Sequence, residues 1–197
     1  MPKIPIYLVT GFLGSGKTTF LREVINYFSD KQRIAVVQNE FAPANFDGGE
    51  LKRQTSNNFD LLEINNGSVF CVCLLSGFIE SLEKFVLQYS PDIILLEASG
   101  LSDPIAVGQI FSAPELRDNM YLKGTIAIVD AHNFGKFDKL LPRIKHQIMI
   151  ADTIIINKTD LNVNYTNILP NIREISPFGK IYPSIYQYQS SRRRCPF

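Results

Sequence analysis

Residues 7–21, YLVTGFLGSGKTTFL, decide the fold and most of the chemistry of this chain. The apolar beginning of the stretch predicts a buried β-strand, and the spacing of its last apolar residues favours a helix. Between them, residues 11–18, GFLGSGKT, match the pattern G-x-x-x-x-G-K-[S/T]. A strand, a glycine-rich loop and a helix in this order are typical of a phosphate-binding loop, or P-loop.

The residue types of this loop suit a nucleoside triphosphate. Backbone N–H groups can surround phosphate oxygens only where the chain adopts conformations that a Cβ atom resists, so glycine is needed. The dipole at the start of the following helix adds positive potential. Lys17 can place a charge at the β/γ bridge, and Thr18 can offer a hydroxyl to Mg²⁺. The predicted phosphate-binding residues are Gly14, Ser15, Gly16, Lys17, Thr18 and Thr19.

Residues 157–160, NKTD, follow a predicted strand and indicate which base is bound. The Asp160 carboxylate can accept hydrogen bonds from N1–H and from the exocyclic amine of guanine. Adenine offers no such donor pair, so a buried acceptor would lose its partners with ATP. Asn157 can bond N7 of the base and tether the loop, and the stem of Lys158 can lie over the base plane. The predicted ligands are therefore GTP and GDP.

Glu97 ends the apolar run of residues 92–97 and occupies the position of a Walker B acid. An acid there usually reaches Mg²⁺ through water or orients the attacking water. Hydrolysis in such proteins is mainly positioning and charge stabilisation, so we predict Lys17 and Glu97 as the catalytic residues. The backbone N–H of Gly100 suits a switch that senses the γ-phosphate. The alternative for Glu97 is a carboxylate that caps the next turn.

The alternation of short apolar runs with helical periods predicts the fold class. Continuous apolar runs suit parallel strands buried on both faces, and crossover helices then cover the sheet. We predict a three-layer α/β/α sandwich with a mostly parallel sheet. The predicted strands are 4–9, 34–37 and 61–64 and lie within the runs 92–100, 124–130 and 152–160; the predicted helices are 18–28 and 77–88, and 41–60 is a long loop.

Composition excludes several classes of protein. The chain has 197 residues, which suits one domain, and its formal net charge of +1 gives no field for nucleic acid. The arginines at 192–194 read as a solvated end. No signal peptide and no membrane-spanning stretch are visible, and three cysteines do not make a disulfide framework. We therefore expect a cytoplasmic protein without nucleic-acid or membrane partners.

Four stretches in order, GFLGSGKTT, QNEF (38–41), EASGLSDP (97–104) and ADTIIINKTDL (151–161), resemble the CobW-type branch of the CobW/HypB/UreG GTPases. The resemblance implies a P-loop GTPase fold of the SIMIBI class, slow Mg²⁺-dependent GTP hydrolysis and a homodimer. It also implies a metallochaperone, in which nucleotide state is coupled to binding a zinc- or cobalt-class metal and delivering it to a client. A role for Glu40 in switching or metal transfer is implied in the same way, and Asp47 lies in the expected first switch.

The chain departs from this family at its cysteines. The family usually carries G-C-x-C-C, whereas here, aligned on Gly67, only Cys71 keeps its place and Cys73 is an additional thiol. In an extended segment these two thiolates would lie on one side and suit Zn²⁺ or Cu⁺. The missing ligands could come from Glu40, Glu63 or a second chain, and we take Cys71, Cys73 and Glu40 as candidates. The alternatives are redox-active thiols or small buried side chains.

The domain organisation and two rival functions complete the expectations. We expect a GTPase domain at 1–190 and a tail at 191–197, without the C-terminal domain that the family typically carries. One rival is a P-loop regulatory switch that binds no transition metal. The other is a small-molecule kinase, which would leave the NKTD motif unexplained.

Overall fold

A computed structural model gives the fold of the chain. The structure describes residues 3–39, 59–64, 72–98, 110–111, 113–135, 141–161 and 164–184. The predicted switch and cysteine segments at 40–58, 65–71 and 99–109 lie outside these ranges, as does the tail.

A seven-stranded sheet, in the order β3-β2-β4-β1-β5-β6-β7, forms the centre of the described part of the chain. Every pair of neighbouring strands is parallel. The strands are β1 (Ile4–Thr10), β2 (Ile34–Asn39), β3 (Asp60–Ile64), β4 (Ile93–Glu97), β5 (Met120–Asp130), β6 (Thr153–Asn157) and β7 (Lys180–Pro183). The helices are α1 (Lys17–Phe28), α2 (Val72–Tyr89), α3 (Pro114–Arg117), α4 (Leu141–Met149) and α5 (Leu169–Ile175).

Helices cover both faces of the sheet, which confirms the predicted α/β/α sandwich. Alternate residues of each strand point to opposite faces, and in β1 Val9 lies in the cluster that includes α1. Leu8, its neighbour, lies in the cluster that includes α2. A third cluster packs α4 and α5 against β5 and β6 around Val129 and Ile154. Because both faces are buried, the strands read as continuous apolar runs.

The predicted strands and both predicted helices are confirmed; two of them begin four or five residues early, and the other boundaries that were predicted differ by at most two residues. Helix α2 begins at Val72, five residues before the predicted start at Gly77. Strand β5 begins at Met120, four residues before the predicted apolar run, because its first residues pair with Ile4–Ile6 of β1. The sequence pattern gave no bounds for α3, α4, α5 or β7, which are short.

The early start of α2 overturns one expectation about the cysteines. We expected an extended segment here, with two thiolates on one side. That expectation is wrong at Val72 and Cys73, because both residues are helical. Cys71 itself lies outside the described residues.

None of the described helices combines the length and the hydropathy that a bilayer-spanning helix requires.

Candidate nucleotide-binding site

The backbone of the P-loop needs its glycines. Gly11, Gly14 and Gly16 have φ values of +151°, +73° and +101°, in the region that L side chains rarely adopt. A Cβ at Gly11 would lie 2.5 Å from the carbonyl oxygen of Ile128, and a Cβ at Gly16 would overlap the side-chain amide of Asn157. Gly14 has open space instead. The loop is therefore shaped by close approach to the ends of β5 and β6 as well as by torsion.

The first turn of α1 faces this loop. The helix begins at Lys17, with Gly16 as its N-cap and no capping side chain, so its first N–H groups are left for a ligand. Lys17 is 8% exposed, and its ammonium donates to the carbonyl oxygen of Gly11 at 3.1 Å. Ser15 is buried, and its hydroxyl has no hydrogen-bond partner among the described residues. Thr19, half-buried, lies in the same turn.

A second group of side chains meets at the ends of β2 and β4. The Thr18 hydroxyl lies 3.5 Å from Oε1 of Glu97, and the Gln38 amide donates to Oε2 of Glu97 at 2.6 Å. Glu97 and Gln38 are 3% and 2% exposed. Hydroxyl and carboxylate oxygens are the ligands that Mg²⁺ prefers, and the Gln38 carbonyl oxygen is a buried acceptor without a described partner. These residues therefore fit a hydrated Mg²⁺, with Thr18 and Glu97 as its ligands or as partners of its waters.

The NKTD residues are bonded to the P-loop. Asn157 is buried, and its Nδ2 donates to the Ser15 carbonyl oxygen at 2.8 Å while its Oδ1 accepts from the Lys158 N–H at 2.9 Å. Thr159 anchors the following turn by donating to the Ser184 carbonyl oxygen at 3.1 Å. Asp160 lies in that turn and is exposed. The predicted tether by Asn157 is present, and the Asp160 carboxylate is accessible to a base.

Lys158 joins the two halves of the site. Its φ of +58° is unusual for a residue with a side chain. Its ammonium donates to the Gly14 carbonyl oxygen at 2.7 Å and to Oδ2 of Asp130 at 2.8 Å. The stem of Lys158 is therefore held at both ends, by backbone and by charge.

Asp130, at the end of β5, is a site residue for which the motifs predicted no specific role. Its side chain is 10% exposed and also accepts from the N–H groups of His132 (2.9 Å) and Asn133 (3.1 Å) and from Asn133 Nδ2 at 2.9 Å. Burial works against the charge of Asp130, but the hydrogen bonds from Lys158 and Asn133 outweigh it and hold its pKa below the usual value. One signal in the sequence could have found it: Asp130 ends an apolar run, as Asn157 ends the next apolar run. The two residues are partners in the register of β5 and β6.

The candidate transition-metal residues are not brought together in the described part of the chain. Glu40 and Cys71 lie outside it, and Cys73 lies in the first turn of α2. Among the described residues no three His, Cys, Asp or Glu side chains could jointly hold a metal. Both histidines are exposed: His146 lies on α4, and His132 lies in the turn after β5.

Fold and site together define a class of protein. A parallel sheet carries a P-loop after β1, an acid at the end of β4 and an N-K-x-D turn after β6 that is bonded back to the P-loop. This is the arrangement of a P-loop nucleotide-binding protein.

Comparison with known proteins then gives the family. The model of the CobW/HypB/UreG nucleotide-binding domain matches residues 5–177. The chain belongs to the CobW/HypB/UreG family, as its sequence motifs suggested.

Two curated relatives and one solved structure illustrate the similarity. The zinc chaperone CobW of Sinorhizobium sp is 31% identical over 185 residues, which cover 81% of this chain and 52% of that protein. The zinc-regulated GTPase metalloprotein activator 1 of Saccharomyces cerevisiae is 31% identical over 214 residues, covering 93% and 48%. The Zn(II)-bound YjiA GTPase of E. coli matches with a TM-score of 0.66 and 27% identity, over 92% of this chain and 57% of that one. The chain thus spans about half the length of these curated relatives.

Proposed function

We propose that the chain binds GTP and hydrolyses it slowly in the presence of Mg²⁺. The observation that carries the proposal is the pair of bonds from Asn157 to Ser15 and from Lys158 to Gly14. They bring the guanine-type N-K-x-D turn against a P-loop, so one ligand with a base and phosphates can reach both. GTPase relatives such as the yeast activator and YjiA support the same activity.

The residues have distinct parts in this proposal. The amides of residues 14–19 and the Lys17 ammonium hold the phosphates, and Lys17 would exchange the Gly11 carbonyl for a phosphate oxygen. Asn157, Lys158 and Asp160 orient the base. Mg²⁺, when bound, would neutralise charge on the β- and γ-phosphates. Glu97 acts as a buried acceptor that orients water beside Thr18.

We further propose that nucleotide state controls the binding of a zinc- or cobalt-class metal for delivery to a client. The Sinorhizobium relative is a zinc chaperone, and the related YjiA structure holds Zn(II). Cys71, Cys73 and Glu40 are the candidate ligands in this chain, and the metal is cargo in this scheme. A homodimer, a metalloprotein client and a cytoplasmic location belong to the same proposal.

Calorimetry and phosphate release test the nucleotide half of the proposal. The wild-type chain should bind GTP and GDP with Mg²⁺, bind ATP far more weakly, and release inorganic phosphate from GTP. Transfer of the γ-phosphate to an acceptor other than water would instead make the chain a kinase.

A zinc titration against a competing chelator tests the metal half. We expect binding that changes between GDP and a non-hydrolysable GTP analogue and that is lost in Cys71→Ser/Cys73→Ser. Cys195→Ser is the matched control, because it removes the remaining cysteine. Stoichiometric binding by the double variant would contradict the ligand assignment. No zinc binding by wild type would favour the regulatory switch.

A further inference from the structure

We infer that Gln38 is a positioning residue that sets the affinity for Mg²⁺ by orienting Glu97. The inference rests on the proposed function, since it concerns the same Mg²⁺-nucleotide site. Gln38 donates to one carboxylate oxygen of Glu97 at 2.6 Å, and the other carboxylate oxygen lies 3.5 Å from the Thr18 hydroxyl.

The sheet brings this pair together. Gln38 and Glu97 are partners in register on the neighbouring parallel strands β2 and β4. Gln38 is the second-to-last residue of β2, and Glu97 is the last residue of β4. Both therefore lie at the carboxyl edge of the sheet, where α1 begins. Side chains of register partners project to the same face, which leaves little freedom for either group.

The chemistry of the contact fixes which way the amide points. A carboxylate oxygen only accepts, so the amide must present its N–H to Glu97 and turn its carbonyl oxygen elsewhere. That Oε1 atom is buried and has no hydrogen-bond partner among the described residues. A buried acceptor without a partner is rare and costly, and it points to a ligand that brings donors. The waters of a hydrated Mg²⁺ are such donors.

The neutrality of glutamine matters as much as its reach. A lysine or arginine at residue 38 would bind the same carboxylate but would neutralise it before a cation arrived. The amide orients Glu97 through a hydrogen bond and leaves its charge in place for Mg²⁺. Gln38 therefore acts through Glu97, and its removal should weaken Mg²⁺ binding without weakening contact with the nucleotide.

A double-mutant cycle on the full chain tests the inference. The probe is fluorescent mant-GDP, and the measured quantity is the Mg²⁺ concentration that half-maximally slows its release. Gln38→Met, which keeps length and removes the amide, should raise this concentration about 10- to 100-fold, as for one hydrogen bond to a charged group. Glu97→Gln should raise it at least as much. Because Gln38 acts through Glu97, the double variant should resemble Glu97→Gln alone.

The Mg²⁺-free measurement separates a positioning role from a structural one. Without Mg²⁺, Gln38→Met should bind mant-GDP within about 2-fold of wild type, since the phosphate and base contacts are intact. Thr125→Val, another buried polar residue of the sheet, is the control and should leave the Mg²⁺ requirement unchanged. If Gln38→Met does not fold, Gln38→Asn keeps the amide but shortens its reach and should show the same effect.

Two results would overturn the inference alone. One is an unchanged Mg²⁺ requirement in folded Gln38→Met or Gln38→Asn. The other is a double variant whose effect is the product of the two single effects. Failure of wild type to bind mant-GDP at all would overturn the proposed function, and the inference with it.

Discussion

Two carboxylates stand at the carboxyl edge of the sheet, Glu97 buried and Asp130 partly buried, and they are held differently. Glu97, at the end of β4, accepts a hydrogen bond from the neutral amide of Gln38. Asp130, at the end of β5, accepts from the ammonium of Lys158. The amide is a neutral donor and brings no charge to its carboxylate, whereas the ammonium brings a positive charge. This difference supports our proposal that Glu97 faces the metal cation and that Asp130 and Lys158 lie beside the uncharged base.

The P-loop lies between Glu97 and Asp130 and serves both parts of the site. Loss of its lysine charge should therefore have the largest effect. In Lys17→Ala the phosphates lose a buried positive charge, and we expect GTP affinity to fall about 100-fold or more. Calorimetry measures this directly. Lys180→Ala, an exposed lysine on β7, is the control and should bind as wild type does. Undiminished binding by Lys17→Ala would remove the P-loop from the account.

The second-largest effect should distinguish Glu97 from Asp130 by the rate of GTP hydrolysis. Glu97→Gln removes the carboxylate charge at nearly the same size, so we expect the rate of GTP hydrolysis to fall about 100-fold. Asp130→Asn should leave the rate of GTP hydrolysis at saturating GTP nearly unchanged, because the Asp130 side chain contacts Lys158 and not Thr18 or Glu97. Phosphate release at saturating GTP measures both. Equal losses in the two variants would contradict the division of roles.

The third effect concerns the preference of the protein for a guanine base. Asp160→Asn exchanges an acceptor for a donor at one oxygen, so we expect GTP affinity to fall about 10- to 100-fold and xanthosine triphosphate to bind better than before. Asp118→Asn, an exposed aspartate after α3, is the matched control. Guanine preference that survived in Asp160→Asn would mean that another group reads the base.

A smaller effect is expected from releasing Lys158. Asp130→Asn keeps an oxygen that can accept from the N–H groups of His132 and Asn133 but loses the charge that pairs with the ammonium. We expect mant-GDP to dissociate about 3- to 10-fold faster, with the Mg²⁺ requirement unchanged. Stopped-flow release with and without Mg²⁺ checks both parts. A changed Mg²⁺ requirement would show that the Asp130–Lys158 pair and the Glu97 site are not independent.

The smallest effect concerns stability at low pH. Because the pKa of Asp130 is held below its ordinary value of about 4, its ion pair contributes stability that is complete above that value. The contribution is lost as pH falls from there toward the lower folded-state pKa. Urea unfolding of wild type and Asp130→Asn between about pH 3 and 7 should show the stability difference shrinking on acidification. A difference that stays constant with pH would place the stabilisation elsewhere.

Motifs that lie within a few consecutive residues could be predicted from the sequence. The P-loop and the NKTD turn are contiguous, and their residue types follow directly from phosphate and guanine chemistry. The buried strands were equally visible, because a strand covered on both faces must be apolar throughout.

Contacts that depend on register between distant strands could not be predicted. Gln38 and Glu97 are 59 residues apart, and Lys158 and Asp130 are 28 apart. Only the folded sheet sets which strand ends are neighbours, so Gln38 and Asp130 received no role from the pattern.

The start of α2 was missed for a local reason. The residues before Gly77 lack the spacing of apolar residues, three and four apart, that indicates an amphipathic helix, and a glycine suggests a boundary. The structure continues the helix through Gly77, which is exposed and has no side chain to pack. Glycine within a helix costs about 1 kcal/mol, which the apolar contacts of Phe78 and Leu82 can offset.

Selection of the purine by a turn bonded to the P-loop is the central claim, and competition calorimetry tests it most directly. Titration of the wild-type chain with Mg²⁺ and GTP should give one site, and ATP should bind at least about 100-fold more weakly, as for a site whose base-reading acceptor is left unpaired. ATP bound as tightly as GTP, or neither nucleotide bound, would contradict the account.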